Sequence, residues 1–227
     1  MNLELGNFFH PPGPLAGKIN QYMREALAMK PVSVFNLASE DLHVAGESSL
    51  GDLTETDFIS TNLVAPDNGK YGFLKRYSIQ EGTLPNGWPV RIGFLGIADP
   101  RMVKPNSGFT AMEPVDAIKL VLPELEGKVD FLVVAGEISE ETADQIANAF
   151  PEVFAVLRSE RGFRLTRPRQ VNNALIMSSV ERGRMLGRMT LVLNADKEVA
   201  SYTYRYIDLN QRAPENAALA ARAGELK

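Results

Sequence analysis

The chain has 227 residues, 44% of them hydrophobic and 23% charged, with a formal net charge of −4, no cysteine and two histidines. These figures describe a globular chain long enough for one large α/β domain, expected over residues 1–210, with a C-terminal surface helix or linker over 211–227. They exclude disulfides, thiolate nucleophiles, iron–sulfur clusters and thiolate zinc sites, and without a polybasic run they argue against a nucleic-acid partner or an anionic membrane surface.

Leu3 to Leu5 reads as a short apolar strand that runs into Gly6 and Asn7, and the turn-forming run His10-Pro11-Pro12-Gly13-Pro14 follows. Met1 to His10 lacks the basic flank and apolar core of a signal peptide, so none is expected there. Leu15, Ile19, Met23, Ala26 and Leu27 then fall on one face at helical spacing, which predicts a helix over Leu15–Ala28 ended by Pro31. Val32–Leu37 is a short apolar run without polar alternation, the pattern of a buried strand. From Phe58 to Leu95 the signals turn to β structure, with Asp67-Asn68-Gly69 and Pro85-Asn86-Gly87 as turns of two hairpins.

Pro114 opens a helix to Leu125, with Val115, Ile118, Leu122 and Leu125 inward and Gly127 just beyond its end. Val129–Val134 is a buried strand, and Ser139 can cap a third helix over Glu140–Phe150, where Glu140 and Glu141 suit the positive helix end. Val153–Leu157, Ala174–Ser179, Leu186–Leu193 and Val199–Ile207 complete the strands, the last placing Tyr202, Tyr204 and Tyr206 on one face. No stretch approaches the roughly 20 apolar residues of a transmembrane helix, so no membrane insertion is expected. The fold class is α/β, a layered sandwich of mixed sheets flanked by helices.

Several segments, in order, resemble the calcineurin-like metallophosphoesterase superfamily and within it the catalytic domain of the 5'-nucleotidase and UDP-sugar hydrolase branch. Leu3-Glu4-Leu5-Gly6-Asn7-Phe8-Phe9 resembles the family strand that ends in Gly-Asp, and Val34 to Leu42 stands where the family has Leu-Gly-Asn-His-Glu-Phe. Ile59-Ser60-Thr61-Asn62-Leu63 and Gly93 to Pro100 are similar to the next two family strands. Val129 to Leu157 resembles the strand–helix–strand that carries Ser-His and leads to Gly-Gly-His-x-His, and Gly183 to Leu191 is similar to the family's Gly-rich strand. The resemblance implies a two-metal phosphoester hydrolase in an extracytoplasmic or periplasmic location.

The ligand positions depart from that pattern. A dinuclear site brings four positive charges, lowers the pKa of a bridging water and clamps phosphoryl oxygens, and its ligands must be carboxylate, imidazole or amide oxygen. At the family's Gly-Asp position this chain has Asn7, at Asn-His it has Ser39-Glu40, and at Ser-His it has Ala135-Gly136. The Gly-Gly-His-x-His segment reads Arg158-Ser159-Glu160-Arg161-Gly162. No metal or other cofactor is therefore expected, and neither His10 nor His43 stands at a ligand position. The remnant cleft is assigned Asn7, Ser39, Glu40, Arg158, Glu160 and Arg161, with no catalytic residue.

Other readings stay open. Glu40 and Asp41, with Glu160, could hold a single hard cation, although adjacent acids in a polar loop more simply face solvent. Arg158, Arg161, Arg164, Arg167 and Arg169 could converge on a phosphate-like anion. Gly183 and Gly187 with their arginines lack a phosphate-loop pattern, and the tyrosine stripe could stack a ligand or pack on a neighbouring element. Two functions follow: a non-catalytic phosphoesterase-like domain that is a structural or anion- or partner-binding module of a larger protein, or a hydrolase of nucleotides or UDP-sugars completed by residues outside this chain. The family's first strand, with Asp-x-His, has no counterpart here. The Leu3–Leu5 edge is therefore expected to pair with other domains of a larger polypeptide or with a second copy, helped by the segment after Pro214.

Overall fold

The computed structural model describes residues 1–45, 48–159, 167–178, 185–194, 198–210 and 214–224. In chain order the elements are β1 (Leu3–Glu4), α1 (Ala16–Met29), β2 (Val34–Asn36), a 3-10 turn (Ser39–Asp41), α2 (Leu42–Ala45), α3 (Ser48–Gly51), β3 (Asp57–Ile59) and β4 (Leu63–Val64). The chain continues through β5 (Tyr77–Thr83), β6 (Pro89–Ile97), β7 (Thr110–Ala111), α4 (Pro114–Leu125), β8 (Phe131–Gly136), α5 (Glu140–Ala149) and β9 (Val153–Arg158). It ends with β10 (Arg169–Val171), β11 (Ala174–Ser178), β12 (Met185–Leu193), β13 (Val199–Asp208) and α6 (Ala217–Gly224).

Two sheets lie face to face. The smaller has the order β1-β2-β3 with parallel pairing, and the larger has the order β10-β11-β9-β8-β6-β5 with β6, β8, β9 and β11 parallel. Val34, Ile59, Phe94, Val133 and Ala155 form the seam between them. On its far face the large sheet is covered by α4 and α5, whose Ile118, Val121, Ala143 and Ile146 pack on Leu95, Val134 and Val156. The far face of the small sheet is covered by Leu27 of α1 together with Phe9, Leu42 and Leu50. The result is the layered α/β sandwich expected from the unalternating apolar runs, which need cover on both faces.

Helices α4 and α5 follow from their patterns. In α5 the Ser139 hydroxyl accepts the Thr142 N–H at 3.1 Å, and Glu140 and Glu141 occupy the first turn. In α4, Pro114 sits where no amide partner is needed, and Ala117, Ile118, Val121 and Leu125 are buried at helical spacing. Helix α6 rests on α1: Arg222 donates to both Glu25 carboxylate oxygens, at 2.7 and 2.9 Å, and the Tyr22 hydroxyl donates to Leu219 O.

One of the two hairpins is different from expectation. Pro85-Asn86-Gly87 does join β5 to β6 in antiparallel register. The Asp67-Asn68-Gly69 turn joins no hairpin, because β4 pairs instead with β7, Leu63 opposite Ala111. The residues after Gly69 lay half-buried aromatic rings against the core in place of forming a return strand. Phe73 meets Phe58 edge to face at 5.6 Å, and Tyr71 meets Phe109 at 4.8 Å. Packing two rings on the core outweighs a short exposed ladder.

Strands β12 and β13 form an antiparallel hairpin that is a sheet of its own. Tyr202, Tyr204 and Tyr206 are half-buried while Ser201, Thr203 and Arg205 between them are exposed, as the alternation requires. A Cβ on Gly187 would lie 2.6 Å from the Tyr204 hydroxyl, so this glycine makes room for a cross-strand ring.

Candidate functional site

The carboxyl ends of parallel strands are where α/β sheets place their sites, since side chains there emerge from the core onto loops. Here four such loops meet: Leu5–Phe9 after β1, Leu37–Asp41 after β2, Glu137 after β8 and Ser159 after β9. Asn7 stands at the centre. Its Nδ2 donates to Glu137 Oε1 at 3.0 Å, and its Oδ1 accepts the Glu40 N–H at 3.0 Å. The second Glu137 oxygen lies 3.4 Å from the Ser39 N–H. Ser159 closes the floor through its N–H to Gly136 O at 2.8 Å and its hydroxyl to Leu5 O at 3.4 Å.

The local chain explains this convergence. Gly6 and Asn7 have φ of +95° and +57°, two successive left-handed residues, and a Cβ on Gly6 would come within 2.4 Å of the Ala38 Cβ. The turn aims three successive amides at one point, an anion-binding nest. The protein fills it with its own Asp41, which accepts from Asn7 N at 2.7 Å, Phe8 N at 2.9 Å, Phe9 N at 3.0 Å and Ala38 N at 3.2 Å. Asp41 is fully buried, which corrects the expectation of a solvated acid beside Glu40. Burial pushes its carboxyl up to about 6 against the four amides that favour the charged form. Glu4, half-buried beside it, is pushed up to about 7, first by burial and then by the Asp41 charge.

Asn36 ties the two sheets beneath the site. It is fully buried, and its Nδ2 donates to Leu5 O and to Ile97 O, each at 3.0 Å. Only glycines leave it room, since a Cβ on Gly96 or Gly136 would come within 2.3 and 2.4 Å of its amide. Asn36 Oδ1 and the Ser39 hydroxyl are buried and have no hydrogen-bond partner among the described residues. Asn62, also fully buried, accepts the Ala98 N–H and donates to Ala98 O and Met112 O, which places this asparagine in the scaffold.

Of the six residues assigned to the cleft, Asn7, Ser39 and Glu40 come together. Glu160 and Arg161 lie outside the described residues, as do Arg164 and Gly183. Arg158 does not line the cleft: it is fully buried, and its Nε donates to Ile138 O at 2.9 Å. Arg169 is held by Asp144 at 2.5 Å and Glu140 at 3.6 Å on α5, and Arg167 is exposed. The described arginines therefore do not converge on an anion. Glu137 is the residue that sequence reasoning missed. Its signal was position, an acid directly after an apolar strand whose last residue, Gly136, stands at a family ligand position.

A dinuclear metal centre does not fit this donor set. The amide oxygen of Asn7, the atom that position could offer, already accepts the Glu40 N–H, and an amide nitrogen is no ligand. Four backbone amides occupy the Asp41 oxygens. Both histidines are engaged elsewhere, His43 with Glu40 O and Asn20 Nδ2, His10 with Pro11 O. Among the described residues no three histidine or acidic side chains converge as a cage.

No protein-family model matches the sequence. The chain is 24% identical over 180 residues to the uncharacterized metallophosphoesterase YunD of Bacillus subtilis, an alignment that covers 79% of this chain and 38% of that protein. Its fold is similar to the sulfate thiohydrolase SoxB of Thermus thermophilus, with a TM-score of 0.79 at 15% identity over 99% of this chain and 42% of that one. It is similar also to a 5'-nucleotidase precursor from Thermus thermophilus, with a TM-score of 0.75 at 15% identity over 99% of this chain and 48% of that one. The chain thus spans less than half the length of these three proteins. These likenesses give the chain the calcineurin-like metallophosphoesterase fold.

Proposed function

We propose that this domain is a non-catalytic metallophosphoesterase-like module that serves a structural or partner-binding role in a larger protein. The observation that carries this reading is Asn7. Where the family needs an anionic ligand bridging two cations, this side chain is neutral and hydrogen-bonded at both ends, to the Glu40 N–H and to Glu137. The loops that metals would draw together are held here by hydrogen bonds, with Asp41 as an internal anion in the amide nest. Anion binding through Arg158 is no part of the proposal, because that guanidinium is buried.

The test is metal analysis of chain purified without chelator, followed by assay of nucleoside monophosphates and UDP-sugars with added Mn²⁺. Substoichiometric metal and no turnover above background are expected. Two equivalents of metal per chain, or turnover abolished by Glu137→Gln, would overturn the reading in favour of a metal-dependent hydrolase.

A further inference from the structure

The dipeptide asparagine–glycine occurs twice in the chain, at Asn68-Gly69 and at Asn86-Gly87. All four residues are exposed, and both glycines are left-handed, with φ of +72° and +84° and nothing within 4 Å of where a Cβ would stand. Each asparagine side chain is folded over the peptide that follows it. Asn68 Oδ1 accepts the Lys70 N–H and Asn86 Oδ1 accepts the Trp88 N–H, both at 3.1 Å.

The two copies differ at the glycine nitrogen. Gly87 donates its N–H to Leu84 O at 2.8 Å, inside the β5–β6 turn that the Leu84 N–H closes onto Trp88 O, also at 2.8 Å. Among the described residues the Gly69 N–H has no acceptor, and its segment joins no hairpin. This difference bears on one reaction. A main-chain nitrogen can attack the side-chain amide of the asparagine before it when that amide is held within reach, a donor steadies the oxygen that becomes negative, and the nitrogen is free to give up its proton. Both pairs meet the first two conditions, and only Asn68-Gly69 meets the third.

We propose that Asn68 is a self-modification site, at which the folded chain converts asparagine to aspartate and isoaspartate while Asn86 is protected. The Gly69 nitrogen loses its proton to hydroxide and bonds to Asn68 Cγ. The Cγ–Nδ2 bond breaks, and the side-chain nitrogen takes up a proton and leaves as ammonia. Water then opens the cyclic imide at either carbonyl, returning a proton to the Gly69 nitrogen and leaving a carboxylate. Either product sets a new negative charge beside Asp67. The isoaspartate also lengthens the main chain ahead of Tyr71 and Phe73, whose rings rest on Phe109 and Phe58. At Asn86 the same attack must first break the Gly87–Leu84 bond.

The test is ageing of the full chain in mildly alkaline buffer, once folded and once in concentrated urea, with tryptic peptides followed by mass spectrometry. Cleavage after Lys70 and Arg76 puts the two asparagines in different peptides, and fragment ions locate the change. In the folded chain Asn68 should convert at least about tenfold faster than Asn86, equivalent to about 1.4 kcal/mol in the barrier. In urea the Gly87–Leu84 bond is gone, and the two rates should come within about threefold of each other. Amide exchange followed by NMR reads the premise directly, with Gly69 exchanging at least about tenfold faster than Gly87. No conversion of Asn68 in the folded chain, equal rates there, or a Gly69 amide as slow as that of Gly87 would each overturn the proposal. So would a preference for Asn68 that persists unchanged in urea, because local sequence and not the turn would then be its cause.

Discussion

Replacing Glu4 with glutamine isolates the most strongly perturbed carboxyl of the cleft. Glutamine keeps the oxygen that accepts the Leu5 N–H and removes only the titration. In the folded chain burial and the neighbouring Asp41 hold Glu4 at about 7, against an ordinary 4.5. A carboxyl raised in the folded state binds its proton more tightly there than in the unfolded chain, so its contribution to stability is full below about pH 4.5 and is lost as pH rises to about 7. At 1.36 kcal/mol for each tenfold change in proton affinity, the rise corresponds to at most about 3 kcal/mol. Partial exposure and salt screening reduce this to about 1–2 kcal/mol. Urea denaturation at pH 4.5, 6 and 8, analysed with a common m-value, reads the difference. The unaltered chain should lose about 1–2 kcal/mol more than Glu4→Gln between pH 4.5 and 8. Asp41 leaves a residual slope of the same sign in both proteins. Parallel curves, or a greater loss in Glu4→Gln, would refute the assignment of a buried, mutually repelling pair.

Two further outcomes follow from the same geometry. Asn7→Asp removes the donor to Glu137 and sets two carboxylates side by side, so thermal unfolding at pH 7 should show about 1–3 kcal/mol lost, and Mn²⁺ should restore none of it because the remaining positions lack ligands. A Cβ at Gly136, where φ is +140°, would lie 2.1 Å from Ile97 O, so Gly136→Ala should cost about 3 kcal/mol or more in chemical denaturation; a loss below about 1 kcal/mol would mean that β8 can shift.

How far the residues spoke for themselves depended on how local the physics was. The runs 129–134 and 153–157 lack polar alternation and became the largely buried β8 and β9, and the spacing in 114–125 and 140–150 placed α4 and α5 within a residue of their bounds. Asn7 and Ser39-Glu40 were legible as departures from a ligand pattern because their order along the chain is kept. Asp41 was not: beside Glu40 in a polar stretch it looks like a solvated acid, and only the left-handed Gly6-Asn7 turn, from residues more than thirty positions earlier, turns three amides onto it.

Composition, apolar periodicity and ordered segments determined the layers of this protein and the donor types along its loops, since burial of unbroken apolar runs and the donor capacity of a side chain are properties of the residues themselves. Which of those groups meet was decided by tertiary structure alone. Glu137 meets Asn7 across 130 positions of sequence, and Arg158, one residue from Ser159 on the cleft floor, turns into the core toward Ile138. Such pairings depend on strand register and on the direction of a single turn, and a shift of one residue reverses which side chains face the cleft.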